Sequence, residues 1–130
     1  RQISNVLHSV TGFTLEVEVV DDRVEIYINY GDSKRIIELG SGMEKMMSSL
    51  ALRVSMLNIS KLPRSNIFVV DEGFGSLDQQ NIESCGIFLD SLKKWFSNIL
   101  IISHVDVVKD MVDHIIEVGK NEKDSRVYQA

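Results

Sequence analysis

Two short, unbroken apolar runs constrain this chain more than any other feature: Ile67-Phe68-Val69-Val70 and Ile99-Leu100-Ile101-Ile102. Neither alternates with polar residues and both are too short for a helix, the pattern of strands buried on both faces of a parallel sheet. Between them, from about Asp78 to Phe96, Ile82, Phe88, Leu89 and Leu92 recur at helical spacing. Strand, helix and strand therefore follow one another as a parallel crossover requires. A short helix near Val107 to Val112, a strand at His114 to Val118 and, after the turn at Gly119, a last strand at Arg126 to Gln129 continue the order. The expected fold class is α/β, with a mostly parallel sheet flanked by helices.

Upstream the periodicity changes twice. Val6, Leu7 and Val10 sit at helical spacing before Gly12, as in the tail of a helix that begins earlier. From Phe13 the period becomes two: Phe13, Leu15, Val17 and Val19 alternate with polar residues, and after Asp21-Asp22 the alternation resumes through Val24, Ile26, Ile28 and Tyr30. This predicts an antiparallel hairpin with one wet face. A short strand is expected at Arg35 to Leu39, after the Gly31-Asp32 turn. Met46, Met47, Leu50, Ala51, Val54 and Leu57 then share one helical face, and Ser41 with Glu44 forms an S-x-x-E capping box that starts the helix.

The 130 residues, 44% apolar and 25% charged, suit one globular domain. A net charge of −5 speaks against a surface devoted to nucleic-acid phosphates. The short basic groupings Lys34-Arg35, Lys61 with Arg64, and Lys93-Lys94 read first as solvated faces. The one cysteine, Cys85, lies in an apolar stretch and reads as a buried structural thiol. No apolar run approaches the roughly 20 residues of a membrane helix, and a cytoplasmic setting is expected. The chain opens on Arg1 rather than Met, which fits a fragment or a processed product.

The chemistry gathers at the ends of the two apolar runs. The first ends in adjacent carboxylates, Asp71 and Glu72. In open α/β sheets ligands bind at the carboxyl ends of strands. There one carboxylate can hold hydrated Mg²⁺ while its neighbour accepts a proton from an attacking water. An Asp-Glu-Gly tripeptide more often just opens a polar loop. The second run ends in Ser103 and His104, however, and neighbouring parallel strands would bring both ends to one edge. A histidine there can donate a hydrogen bond to a terminal phosphate or to the water. The third element is Gly40-Ser41-Gly42-Met43-Glu44, a helix start with small residues and a hydroxyl that can bind an anion, although a capping box alone accounts for Ser41 and Glu44.

In this order these segments resemble the C-terminal lobe of ABC-family ATPases. Ser41-Gly42-Met43-Glu44 is similar to the signature motif, Asn66 to Glu72 to Walker B, Gly75 to Asp78 to the D-loop, and Ser103-His104 to the H-loop. The form DEGFGSLD at Asp71 to Asp78 most resembles the SbcC-type branch, the SMC-related ATPase subunits of DNA-end-processing nucleases; ABC transporters more often carry proline where this chain has Gly73.

That resemblance implies ATP and Mg²⁺ as cofactors. Asp71 would organise the Mg²⁺, Glu72 act as general base and His104 sense the γ-phosphate. Ser41, Gly42, Glu44 and Asp78 would meet nucleotide or partner across a dimer of heads. Residues 1–12 would be the stump of a coiled-coil helix and 13–130 the lobe itself. No G-x-x-x-x-G-K-S/T occurs, so the phosphate-cradling loop would come from a separate N-terminal lobe, without which the chain should be inactive. The implied partners are that lobe, a second head, a nuclease subunit and, through the whole complex, DNA, with no membrane. Met43 and Gly40 depart from the family's usual second glycine and leucine, and a side chain at 43 would change how closely the backbone approaches a phosphate.

Two other readings stay open: an SMC- or RecN-like chromosome-organising head without a nuclease, and a non-catalytic dimerisation lobe. Trp95 and Phe96 read as core or lobe-interface residues rather than a base-stacking platform, and the methionines near the signature helix as core filling. His8 and His114 have no spacing that suggests a metal.

Overall fold

The computed structural model describes residues 2–61, 63, 65–120 and 125–129. Arg1 and Arg64 lie outside these described residues. Helix α1 (Gln2–Thr11) buries Ile3 and Leu7 and packs against the helices α2 (Gly42–Ile59) and α3 (Gln79–Ser91). Gly12, at φ +79°, takes the left-handed conformation that ends a helix, and its N–H donates to the His8 carbonyl. The chain then turns sharply into Phe13, which is fully buried.

Strands β1 (Thr14–Val20) and β2 (Arg23–Asn29) form the expected hairpin, closed by Asp21 and Asp22. Both aspartates have positive φ, as the mirror-image turn of a two-residue hairpin requires. One face carries the cross-strand pairs Leu15–Ile28, Val17–Ile26 and Val19–Val24. Its Ile28 end reaches the core, whereas Val17, Val19 and Val24 are exposed. On the other face Lys34 bridges Glu16 at 2.8 Å and also pairs with Glu18. Strand β3 (Lys34–Ile36) adds to β2, but the expected strand over Arg35 to Leu39 stops early, because Ile37–Leu39 forms a 3₁₀ turn that leads directly into α2.

The parallel element of the α/β fold is the pair β4 (Ile67–Asp71) and β5 (Asn98–Ile102), joined by α3. Phe68 and Val70 point into the core, and Phe68 packs on Phe96 at 5.0 Å between ring centroids. The expectation of strands buried on both faces is corrected here. Ile67, Val69, Leu100 and Ile102 are exposed, because no layer among the described residues covers that side of the sheet. A second correction concerns the strand after β5: β6 (Ile116–Lys120) pairs antiparallel with β7 (Ser125–Gln129) and not with β5. The expected short helix is a 3₁₀ segment, Asp106–Met111, and α3 ends at Ser91 with a 3₁₀ turn before Trp95 and Phe96.

The core is one cluster beneath β4, built from α1, α2 and α3 with Phe13, Phe74 and Phe88 as its largest fully buried side chains. Cys85 lies within it, its Sγ 3.3 Å from Met47 Sδ, and burial pushes the thiol up to about 11. Native protein should therefore leave Cys85 unreacted with a thiol-alkylating reagent at neutral pH and label it only after denaturation, as intact mass will report. Ser48 is also fully buried, and its hydroxyl has no hydrogen-bond partner among the described residues. Removing an unsatisfied buried hydroxyl relieves a desolvation penalty, so Ser48→Ala should raise unfolding stability by about 1 kcal/mol; a denaturation midpoint that falls would contradict this.

Candidate functional site: paired strand ends beside a helix start

The register Asp71–Ile102 places the last residues of β4 and β5 side by side, and the Glu72 N–H donates to the Ile102 carbonyl at 2.8 Å. The chains therefore leave the sheet at one edge. Glu72 adopts φ +61° and Gly73 φ +103°, a left-handed pair that turns the backbone away from the strand direction. For a non-glycine residue this conformation costs on the order of 1–2 kcal/mol. The outcome is a carboxylate facing His104: Nδ1 lies 3.2 Å from Glu72 Oε1 and 3.1 Å from Oε2. Both side chains are open to solvent, His104 at 78% and Glu72 at 48% exposure. The Ser103 hydroxyl accepts from the Val105 N–H, shaping the bend that carries His104 out.

Asp71 is exposed at the same edge. Among the described residues no group of three or more His, Cys, Asp or Glu side chains is arranged around a metal position. One or two carboxylates suit Mg²⁺, which keeps its waters and completes its shell with phosphate oxygens, better than they suit a protein-caged ion.

The loop from Gly73 to Asp78 is pinned from below by the fully buried Phe74. Its end caps α3, with Asp78 Oδ1 accepting from the Asn81 N–H at 2.8 Å. Its crest meets the start of α2: a methyl group built on Gly42 would lie 3.0 Å from Ser76 Oγ. A cleft of about 420 Å³ between α2 and the end of β4 is lined by residues including Gly42, Lys45, Arg53, Asp71, Glu72 and Ser76. The helix start and the paired strand ends thus belong to one surface.

The capping box forms as expected: Ser41 Oγ accepts from the Glu44 N–H at 3.3 Å, and Glu44 Oε2 accepts from the Ser41 N–H at 2.8 Å. Sequence reasoning missed how deeply Glu44 is held. It is 3% exposed, and its Oε1 accepts from the Tyr30 hydroxyl at 2.7 Å and the Arg35 guanidinium at 2.5 Å. Burial raises the Glu44 carboxyl pKa, but the bonds from Tyr30 and Ser41 and the cation of Arg35 outweigh it and hold the group below the ordinary carboxylate range. Arg35 belonged to a basic pair that reads as solvated face, and Tyr30 to a strand end; only the fold brings them to Glu44. Met43 is partly buried and packs against the core.

Gly73 follows from this geometry as a position no other residue fills cheaply. Gly73→Ala should destabilise by about 1–2 kcal/mol. Gly42→Ala should be partly rescued by Ser76→Gly, because removing the hydroxymethyl group clears the contact; equilibrium unfolding of the single and double variants measures both.

No protein-family model matches the chain. Among curated proteins it is 38% identical to the SbcC component of the SbcCD nuclease of Clostridium acetobutylicum over 117 residues, which is 84% of this chain and 10% of that protein. It is 29% identical to the uncharacterized protein R555 of Acanthamoeba polyphaga mimivirus over 144 residues, 98% of this chain and 11% of that protein. The chain thus spans about a tenth of the length of these relatives. A solved structure from work on ATP-driven dimerization and DNA stimulated activation of SMC ATPases superposes with a TM-score of 0.77 at 21% identity, over 98% of this chain and 80% of that one. With the parallel strand pair, the hairpin before the capped helix and the motif order already described, the chain is similar over most of its length to SbcC and has the fold of an SMC head, consistent with a C-terminal lobe of an SbcC/SMC-like ABC ATPase.

Proposed function

We propose that this lobe supplies half of a composite ATP site in the ATPase subunit of an SbcC-like DNA double-strand-break repair nuclease complex. The observation that carries the reading is the Glu72–His104 pair at the joined ends of β4 and β5, with Asp71 beside it. In this reading Asp71 holds Mg²⁺ through water, Glu72 accepts the proton of the attacking water, and His104 orients it or meets the terminal phosphate. An exposed carboxylate–imidazole pair needs a nucleotide held against it. The cradle belongs to an N-terminal lobe with the P-loop, which would cover the open apolar face of Ile67, Val69, Leu100 and Ile102. Residues 13–130 form the lobe and 1–12 the stump of a coiled-coil helix. Ser41, Gly42 and Asp78, with Glu44 behind them, face the nucleotide of a second head.

The 38% identity to an SbcC protein supports the nuclease-complex reading, and an SMC- or RecN-like head is the second reading. No helix among the described residues is long and apolar enough to cross a membrane. Co-purification of a nuclease with the full-length protein separates the two readings, since a chromosome-organising head would come without one.

The test uses the full-length polypeptide with its P-loop lobe. Wild type should hydrolyse ATP only with Mg²⁺, and Glu72→Gln should lower kcat by roughly two to four orders of magnitude while ATP binding persists and ATP-bound dimers accumulate. A wild type that neither binds nor hydrolyses ATP sinks the reading.

A further inference from the structure

We propose that Glu44 is a positioning residue: held by Tyr30 and Arg35, it fixes Ser41 so that the serine hydroxyl presents its proton to the nucleotide of the opposite head. The inference rests on the composite ATP site above and assigns Tyr30 and Arg35 a part in it.

An ordinary capping box needs no such arrangement. A surface cap contributes about 1 kcal/mol with its carboxylate in water, whereas this carboxylate is withdrawn from solvent and bonded by donors from two further segments. Burying a charge is expensive unless it is paired and hydrogen-bonded. Here the Ser41 N–H, the Tyr30 hydroxyl and the Arg35 guanidinium meet that need together.

The sequence makes room for the arrangement. A Cβ on Gly40 would fall 3.1 Å from Glu44 Oε2, 3.0 Å from Ile28 Cδ1 and 2.9 Å from the Ile37 carbonyl, so the glycine at this position lets the carboxylate reach the Ser41 N–H. Tyr30 is itself braced, its ring edge-on to the buried Phe13 at 5.5 Å with the Arg35 guanidinium 5.8 Å from its centroid.

The consequence for Ser41 follows from its hydrogen-bonding capacity. A hydroxyl has one proton to donate and lone pairs to accept with. Its oxygen accepts from the Glu44 N–H, which orients the hydroxyl at the helix start and leaves its proton as the group that can turn outward to an anionic oxygen. Loosening the carboxylate frees the Ser41 backbone and lets that proton wander, without removing any atom that touches nucleotide.

A double-mutant cycle in the full-length protein tests this, reading ATP-dependent head–head association, kcat, and the affinity of a single head for ATP. Arg35 is half exposed and Tyr30→Phe keeps the ring, so these variants should fold, which thermal unfolding checks. Ser41→Ala and Arg35→Ala should each weaken association and lower kcat by roughly tenfold, with single-head ATP affinity unchanged and partial recovery in Arg35→Lys. Arg35→Ala should cost nothing further in the Ser41→Ala background. Additive losses, or an equal loss of single-head ATP affinity in Arg35→Ala, overturn the positioning role while leaving the ATPase reading intact. If Ser41→Ala behaves as wild type, the positioning role falls while the ATPase reading stands; a wild type that neither binds nor hydrolyses ATP overturns both.

Discussion

Everything at the candidate site depends on the parallel register of β4 and β5. Because Asp71 sits opposite Ile102, the residues that follow each strand leave the sheet at the same level, and the Glu72 N–H bond to the Ile102 carbonyl locks that level. A slip of one residue would turn every side chain of β4 to the other face. Phe68 and Val70 would leave the core, and the carboxylate and imidazole would no longer meet. The register is held by burial of Phe68 and Val70 over α2 and α3, with Phe96 closing the far end. Core packing and site chemistry are therefore one constraint, and the strain at Glu72 is sustained by a strand that cannot move.

The same strands explain why their pattern reads as doubly buried when only one face is covered. Unbroken apolar runs encode two apolar faces, and a parallel sheet ordinarily has both covered. Among the described residues the helices supply one cover, so Ile67 and Val69 on β4, and Leu100 and Ile102 on β5, stay exposed. The run encodes two apolar faces, of which the described residues cover one. The β6–β7 hairpin differs for another reason: a helical spacer between apolar strands implies a crossover, but the 3₁₀ segment Asp106–Met111 leaves β6 paired with the strand that follows it.

What was legible in the sequence was what repeating pattern encodes. The capping box, the Asp21-Asp22 hairpin turn, the crossover from β4 to β5 and the meeting of Glu72 with His104 each follow from periodicity, turn chemistry or strand order. What was not legible depends on side-chain contacts that no periodicity or turn rule encodes, even at modest separation in the chain. Glu44 reads as the third residue of a helix start, half of a local pair with Ser41; nothing in its neighbours says that Tyr30 and Arg35 will enclose it. Met43 reads as a departure from a glycine, and only the fold shows that it packs partly against the core.

The enclosure of Glu44 also bears on how the hairpin and the helix start can move. Tyr30 follows β2 and packs edge-on against Phe13, the second residue after α1, while Arg35 lies in β3. Both donate to one buried carboxylate whose other oxygen holds the first residue of the cap. Shifting the hairpin alone would leave that charge short of donors, and breaking one partner of a buried pair is far costlier than losing a surface contact. The least expensive motion keeps the network whole, so β2, β3 and the start of α2 should move as a body. Gly42 also faces Ser76 so closely that a Cβ there would lie 3.0 Å from its hydroxyl oxygen, so the same body lies beside the loop that follows Glu72. The geometry of the helix start is thereby set twice over, by a buried charge and by the loop from the paired strand ends.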